Sequence, residues 1–196
     1  MDAVDVLIAA GRAVSARGWT PATSGNLSVR VEHGFLVTAS GPDKGALTRD
    51  DILHVDPRGV PIATTRRPSA ETALHAALYT RDTTIGAVVH VHSMNATVLS
   101  LVSPTVELEG FELQKAFAGV RTHEARVVVP VVDNDQDVDR LAAAVGPRLA
   151  EPGCGPGTLI RGHGLYCWGG TMADALRHAE AFDFLFGCLL ALRRSP

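Results

Sequence analysis

The chain has 196 residues, 46% of them hydrophobic, which is enough apolar material for a single domain over residues 1–196. The formal net charge of −3 provides no broad basic field, so we expect no nucleic-acid partner. No basic leader is evident, and the apolar run 184–192 is too short to cross a bilayer, so we expect no membrane partner. Cys154, Cys167 and Cys188 lack CxxC spacing, which predicts reduced thiols and a cytoplasmic location.

The N-terminal half predicts two helices that alternate with short strands. Apolar residues at helical spacing indicate a helix over residues 3–17, closed by Gly18. Ser69 fits the N-cap of a second helix, with Glu71 in its first turn. The predicted strands are residues 27–31, 35–39, the later part of 47–55, a short segment after the turn at 56–59, and 85–92.

The C-terminal half predicts further helices around a buried strand. Ser93 fits the cap of a helix through Val102, and the continuous apolar run 126–132 indicates a strand buried on both faces. The remaining predicted helices are a short one within 110–117, one over 136–150, and one from the capping motif Thr171-x-x-Asp174 to about Arg193. This order predicts an α/β protein with helices enclosing a mixed, largely antiparallel sheet.

Two histidines interrupt the buried strand 85–92. His90 and His92 stand at positions i and i+2, so both imidazoles lie on the same face of the strand. A divalent metal would satisfy one nitrogen of each ring, and hydrogen bonds to backbone or carboxylates would serve equally well. His163, in a glycine-flanked turn, favours the metal, because three histidines with an open fourth position are typical of catalytic zinc sites. We therefore predict one zinc ion per chain.

The segment 40–45 is a candidate anion loop. It combines glycines, a hydroxyl and Lys44, which are the groups that a phosphate needs. Most loops rich in serine and glycine are only turns, so on the residues alone both interpretations remain open.

Several motifs occur together in the order seen in the class II aldolase and adducin family, which the chain resembles over nearly its whole length. These motifs are residues 23–28, 40–45, 68–75, 90–93 and 161–164. Segments 18–26, 109–116 and 133–137 are similar to a dehydratase branch of this family. The resemblance implies a single-domain α/β/α fold around a central, mainly antiparallel sheet, zinc on three histidines, and usually a homotetramer.

The resemblance also assigns roles to individual residues. It implies phosphate contacts from the loops that contain Gly25, Asn26, Ser40, Gly41, Lys44 and Ser69. Glu71 matches the catalytic carboxylate of the aldolase branch, and Glu112 matches the acid/base of the dehydratase branch. We expect Glu112 to be the base, since apolar neighbours would raise its pKa, and Glu71 to be a secondary carboxylate kept ionised by the helix dipole. On the sequence alone, a solvated Glu112 paired with Lys115 remains an alternative.

The implied function is zinc-dependent dehydration of a phosphorylated, methylthio-bearing ketose in methionine salvage. A carboxylate would take the C3 proton, the C4 hydroxyl would leave as water, and the enol would become a diketone, with zinc polarising the carbonyl. A class II aldolase or epimerase acting on another ketose phosphate is the alternative. An adducin-like interaction module, which need not keep three metal ligands, is a third interpretation.

The last predicted helix bears on assembly. Residues 182–192 contain more apolar side chains than one helical stripe needs. Such a helix lies either inside the core or at a subunit contact, and the family resemblance favours a tetramer.

Overall fold

A computed structural model describes residues 2–193 and contains, over that range, five α-helices and one eight-stranded sheet. The helices are α1 (Ala3–Ala16), α2 (Thr72–Arg81), α3 (Met94–Val102), α4 (Val138–Arg148) and α5 (Met172–Leu192). The strands are β1 (Asn26–Val31), β2 (Gly34–Thr38), β3 (Ile52–Val55), β4 (Ala87–Val91), β5 (Thr105–Leu108), β6 (Val127–Val132), β7 (Gly157–Ile160) and β8 (Gly164–Gly169). Short 3₁₀ helices lie at Pro21–Thr23, Lys44–Ala46, Arg49–Asp51 and Glu112–Ala116.

The sheet has the strand order β3-β2-β1-β4-β8-β7-β6-β5. The β6–β7 pair is parallel and the other neighbouring pairs are antiparallel, which confirms the predicted mainly antiparallel sheet. Strand β4 lies in the interior between β1 and β8, so every residue of Ala87–Val91 is buried. Its β-branched valines suit a strand that is packed on both faces.

Helices cover both faces of the sheet. Buried residues of α1, α3 and α5 pack with Val89 of β4 on one face. Buried residues of α2 and α4 pack with Val88 and Tyr166 on the other. Because side chains alternate along a strand, His90 shares the α2 and α4 side with Val88. The predicted α/β/α arrangement is therefore confirmed. Among the described helices, none has both the length and the apolar character needed to span a membrane.

The start of α2 differs from the prediction. Ser69 was expected to cap this helix, but the helix begins at Thr72 and Glu71 occupies the N-cap position. The Ser69 hydroxyl accepts only a long hydrogen bond, 3.4 Å, from the Glu71 N–H. The Glu71 carboxylate instead accepts a hydrogen bond from Asn26, so a tertiary contact overrides the local capping signal.

Other boundaries are mostly as expected. Ser93 caps α3 by accepting from the Ala96 N–H at 3.3 Å, so this helix begins at Met94, two residues after His92. The short strand expected after residues 56–59 is wrong, because only one bridge forms there, between Val55 and Pro61. Strand β5 was not predicted, since its four residues carry too short a pattern to indicate a strand.

Helix α5 has a buried side in the core and an exposed apolar side. Phe182, Leu185 and Phe186 are fully buried in the core, whereas Phe184 is 59% exposed. The neighbouring helix α3 also presents apolar side chains to solvent. We call this exposed apolar area the α3–α5 surface; its members are Met94, Val98, Leu101, Val102, Phe184 and Leu192.

Candidate functional site

The three predicted histidines converge at one point. His90 lies in β4, His92 follows that strand directly, and His163 lies in the turn between β7 and β8. The Nε2 atom of His90 is 2.9 Å from Nε2 of His92 and 3.3 Å from Nε2 of His163. Gly164 allows β8 to lie close to the end of β4, because a Cβ at position 164 would lie 2.3 Å from the carbonyl oxygen of Val91.

The histidine cluster fits a divalent metal ion. Tetrahedral zinc binds imidazole nitrogens at about 2.0–2.1 Å, which separates two such nitrogens by about 3.3 Å. The Nδ1 of His90 donates to the carbonyl oxygen of Leu165 at 3.0 Å, so its Nε2 lone pair faces the other two rings. Burial lowers the pKa of His90 to about 4 and, with the neighbouring His90, that of His92 to about 3. These two rings are thus neutral near pH 7, the form that binds metals.

Glu71 is the carboxylate at the histidine cluster. Its Oε1 lies 3.2 Å from Nε2 of His163 and its Oε2 lies 3.2 Å from Nε2 of His90. Burial opposes ionisation of Glu71, but the imidazoles of His90 and His163 and a hydrogen bond from Asn26 outweigh it and hold the pKa at about 2. The predicted ionised state is therefore supported. The reason differs from the predicted helix dipole and Ser69 cap, because the facing imidazoles dominate.

Tyr166 is a site residue that the sequence analysis did not identify. Its ring stacks on His90 with centroids 4.0 Å apart and an angle of 13° between the planes. Its hydroxyl lies beside Glu71 and Asn26, and burial together with the Glu71 charge raises the pKa of Tyr166 well above its usual range. A single tyrosine in an apolar strand gives no indication in the sequence that its ring lies against the histidine cluster.

A cavity of about 310 Å³ opens beside the histidines. The loops before β1, after β2 and before α2 form its wall, and the segment after β6 closes another side. All six predicted phosphate residues line it, together with Glu71, His92 and His163: they are Gly25, Asn26, Ser40, Gly41, Lys44 and Ser69. The structure thus brings His92, His163 and the predicted phosphate residues to one cavity, with His90 buried directly behind His92 and His163.

Lys44 contributes to this cavity mainly by joining two loops. The side chain is only 2% exposed, and its Nζ donates to the carbonyl oxygens of Thr23 and Pro42, each at 2.7 Å. Burial lowers the pKa of Lys44. Two of its three N–H groups are therefore committed to holding the loops together.

The segment after β6 supplies a polar wall. Asn134, Asp135 and Gln136 line the cavity. The Asp135 carboxylate accepts two hydrogen bonds from Arg140, at 2.7 and 2.8 Å, which compensates its charge. This wall therefore consists of the uncharged amides of Asn134 and Gln136 and of a carboxylate whose charge is paired with Arg140.

Glu112 lies elsewhere on the chain surface. Its side chain is 72% exposed and forms an ion pair with Lys115, and it is not among the residues that line the cavity of its own chain. The expected desolvation by apolar neighbours is wrong, because the 3₁₀ helix turns this carboxylate outward. Gln114 is the buried member of that segment, and its amide donates to the carbonyl oxygen of Ala125. Within the single chain, Glu112 is solvated and paired with Lys115, which was the alternative interpretation of the sequence.

Three histidines, a largely buried carboxylate and glycine-containing loops around one cavity are the features of a protein class that could hold a divalent metal ion and a small polar ligand. The family comparison agrees with this class. The chain belongs to the class II aldolase and adducin family, since the family model described as Class II Aldolase and Adducin N-terminal domain matches residues 5–190.

Named relatives and solved structures extend this comparison. The chain is 54% identical over 191 residues to a methylthioribulose-1-phosphate dehydratase of Azotobacter vinelandii, covering 95% of this chain and 92% of that protein. It is 55% identical over 188 residues to a Pseudomonas aeruginosa protein of the same name, covering 94% and 91%. An L-fuculose-1-phosphate aldolase from Thermus thermophilus matches with a TM-score of 0.79 and 27% identity, covering 97% and 95%. The protein YgbL of Klebsiella pneumoniae matches with a TM-score of 0.83 and 25% identity, covering 99% and 91%.

Proposed function

We propose that the chain is a zinc-dependent methylthioribulose-1-phosphate dehydratase of methionine salvage. It would convert 5-methylthioribulose 1-phosphate into 2,3-diketo-5-methylthiopentyl 1-phosphate and water. The observation that carries this proposal is the 54–55% identity to proteins of that name over 94–95% of the chain. The convergence of His90, His92 and His163 beside one cavity supports it independently. The free thiols of the three cysteines are consistent with the proposed cytoplasmic location.

The reaction requires proton transfer at two carbons of the substrate. A zinc ion on the three histidines would supply Lewis-acid polarisation of the C2 carbonyl. A carboxylate of the protein takes the C3 proton, and the C4 hydroxyl leaves with a proton as water. The resulting enol then becomes the 2,3-diketone, so atoms balance with water as the only other product. Burial of His90 and of most of Glu71 lowers the local dielectric, which strengthens each of these electrostatic contributions.

The phosphate would bind at the loops on the wall of the cavity. Gly25 and Gly41 have positive φ values of 76° and 102°, which other residues adopt at a cost, and loops of this kind can turn backbone N–H groups towards an anion. Ser40 and Ser69 add hydroxyls, and Lys44 adds a positive charge behind the loops. We infer that these residues hold the substrate by its phosphate while its carbonyl end lies at the histidines.

We infer that Glu112 is the catalytic acid/base and acts in the cavity of a second copy of the chain. Within its own chain it is exposed and lies outside the cavity. The proposed homotetramer provides the second copy. The α3–α5 surface supports such an assembly, because it begins at Met94, two residues from His92, and includes Leu101, which packs near Gly162. A subunit contact on this surface would therefore lie next to the histidines.

Replacement of the two carboxylates tests these assignments. Glu112→Gln is expected to keep zinc and oligomeric state but to lose about 10²–10⁴-fold in turnover, the usual size of a lost general acid/base. Glu71→Gln is expected to cost less, because Glu71 is held in its ionised form and is a poor proton carrier near neutral pH. A Glu112→Gln variant with parental turnover, together with an inactive Glu71→Gln, would contradict the assignment of the base.

Complementation tests whether Glu112 acts between subunits. His92→Ala and Glu112→Gln are each expected to be inactive alone. Coexpressed, they should regain about one quarter of the parental activity, since half of the metal sites are intact and half of their neighbours carry Glu112. Coexpression of His92→Ala with His163→Ala is the matched control and should regain nothing. No recovery in the first mixture would contradict a contribution from a second chain.

An aldolase reaction is the second candidate, because Glu71 is the carboxylate that the structure brings to the histidines and the fold matches an L-fuculose-1-phosphate aldolase. An aldolase would cleave a carbon–carbon bond and release a smaller carbonyl fragment. An epimerase would invert one carbon with no change in mass. Product analysis separates both reactions from dehydration.

A further inference from the structure

Four buried polar side chains form a continuous line behind Glu71. Asn26, His75, Ser28 and Tyr79 are each at most 4% exposed, and hydrogen bonds connect them in that order. Buried polar groups are retained in proteins when all their hydrogen bonds are satisfied. This line lies on the side of the sheet that α2 covers, and it ends at the carboxylate of the candidate site.

The orientation of the Asn26 amide fixes the direction of every other hydrogen bond in the line. Asn26 donates from its NH₂ group to Oε2 of Glu71, at 2.7 Å. The Asn26 carbonyl then faces His75, whose Nε2 must carry the proton and donate. The Nδ1 of His75 is therefore bare and accepts from the Ser28 hydroxyl at 2.6 Å. Ser28 in turn accepts from the Tyr79 hydroxyl at 2.8 Å.

Both ends of the line are held in place. His75 lies on α2 four residues after Glu71, so one helix carries the carboxylate and the ring that orients its partner. At the far end, the Arg30 guanidinium lies 4.6 Å from the centre of the Tyr79 ring. Arg30 is itself fixed by donating to the carbonyl oxygens of Ile85 and Tyr79, at 2.7 and 2.8 Å. The line thus has little freedom to reverse.

We propose that His75 is a positioning residue for Glu71. By donating from Nε2 to the Asn26 carbonyl, it fixes the amide with its NH₂ group towards Glu71. The carboxylate is then held with its two oxygens facing His90 and His163. Without the His75 donor, the buried Asn26 carbonyl loses its partner, and the amide is no longer held against Glu71. This role rests on the metal site proposed above, and it does not depend on which ketose phosphate is the substrate.

Two replacements of similar size separate positioning from simple packing. His75→Gln keeps an N–H donor that can reach the Asn26 carbonyl, whereas His75→Phe keeps a ring of similar volume and removes the donor. Glu71→Gln is the reference for a site that has lost its carboxylate. All three are compared with the parent protein at equal loading with Co²⁺, whose visible absorption reports the groups around the ion.

We expect His75→Gln to have the parental Co²⁺ spectrum and His75→Phe to have the spectrum of Glu71→Gln. The double replacement of His75 by Phe and Glu71 by Gln should show no further change, because the two residues act through one contact. Turnover of His75→Phe should fall about 10–100-fold, as for other partners that orient groups at a metal site. His75→Gln should recover most of that loss.

A parental spectrum in His75→Phe, or an additional change in the double replacement, would overturn the proposal. The parent protein offers a test that does not need the Phe variant to fold. In ¹⁵N-histidine-labelled protein, the ring signal that is missing from His75→Gln should have the neutral form protonated at Nε2. A ring protonated at Nδ1 would overturn the proposal. A parent that binds Co²⁺ but does not dehydrate the ketose phosphate would contradict the proposed function and leave the spectral comparison valid.

Discussion

Replacement of Lys44 by Met tests how the cavity is held together. Lys44 is one of two lysines in the chain, and its buried ammonium joins the loop before β1 to the loop after β2 through the carbonyl oxygens of Thr23 and Pro42. Methionine keeps the apolar stem and removes both donors. The two carbonyls then lose their partner at the wall of the cavity, and the loops that would hold the phosphate are no longer tied together.

The expected cost follows from the two hydrogen bonds. Hydrogen bonds to a charged group contribute about 1.5–3 kcal/mol each, so two of them contribute about 3–6 kcal/mol. Two effects reduce this loss. The desolvation cost of the buried ammonium disappears, and water from the cavity reaches the freed carbonyls. The net loss in the free energy of unfolding is then about 3 kcal/mol. For a chain of this size, a change of about 3 kcal/mol corresponds to a fall in Tm of about 6–12 °C.

Thermal unfolding at a fixed protein concentration measures this effect. Lys115→Met is the matched control, because the Lys115 side chain is 43% exposed and its ion pair with Glu112 lies at the surface. An exposed pair contributes about 0–1 kcal/mol, so the control should unfold within about 4 °C of the parent. Equal Tm values for the Lys44→Met variant and the parent would contradict the role of Lys44 in holding the two loops together. The substrate KM of Lys44→Met should also rise, since both phosphate loops depend on it.

Three further replacements test other parts of the structure. His92→Ala should leave a two-ligand site and purify without stoichiometric zinc, so one equivalent of zinc by elemental analysis would contradict the metal assignment. Gly164→Ala should abolish the native fold, because its Cβ would meet the Val91 carbonyl oxygen at 2.3 Å. The matched control Gly146→Ala has open space at a helical position just before Pro147, which disfavours a helical alanine, so urea unfolding should show it within about 1 kcal/mol of the parent. Leu101→Glu places a charge on the α3–α5 surface and should reduce the proposed tetramer to smaller species in light scattering; a tetramer in both the parent and the variant would exclude this surface as the contact.

The histidine site could be predicted from the sequence because its signals are local. The spacing of His90 and His92 along one strand fixes their common side, and glycines around His163 indicate a tight turn. That this turn lies beside β4 follows from the pairing of β4 with β8, which a single sequence does not specify. His163 is predicted from its residue type and its turn, and the family resemblance implies the same residue.

The two carboxylates show where local patterns are insufficient. Glu112 stands between apolar residues, yet the orientation of its 3₁₀ helix is set by the buried Gln114 and its bond to Ala125, which lies eleven residues further along the chain. Glu71 follows a serine that fits a cap, yet its contact with Asn26 spans 45 residues and determines where α2 begins. In both cases a tertiary hydrogen bond decides the exposure of the carboxylate.

Tyr166 and His75 could not be identified as site residues from the sequence for the same reason. Tyr166 occupies a strand position at which a large apolar residue would give the same pattern. His75 lies on the buried side of α2 among core residues, and its partners Asn26 and Ser28 lie on β1. Their roles depend on the order of strands and helices around the site and not on spacing along the chain.

The mass of the product formed from 5-methylthioribulose 1-phosphate tests the proposed function most directly. The zinc-loaded parent protein is incubated with this substrate, and His92→Ala serves as the control for catalysis by contaminants. Dehydration predicts a product lighter than the substrate by one water, with the carbon chain intact, and no such product from the control. A smaller carbonyl fragment, or an isomer of unchanged mass, would contradict the proposal and identify the chain as an aldolase or an epimerase.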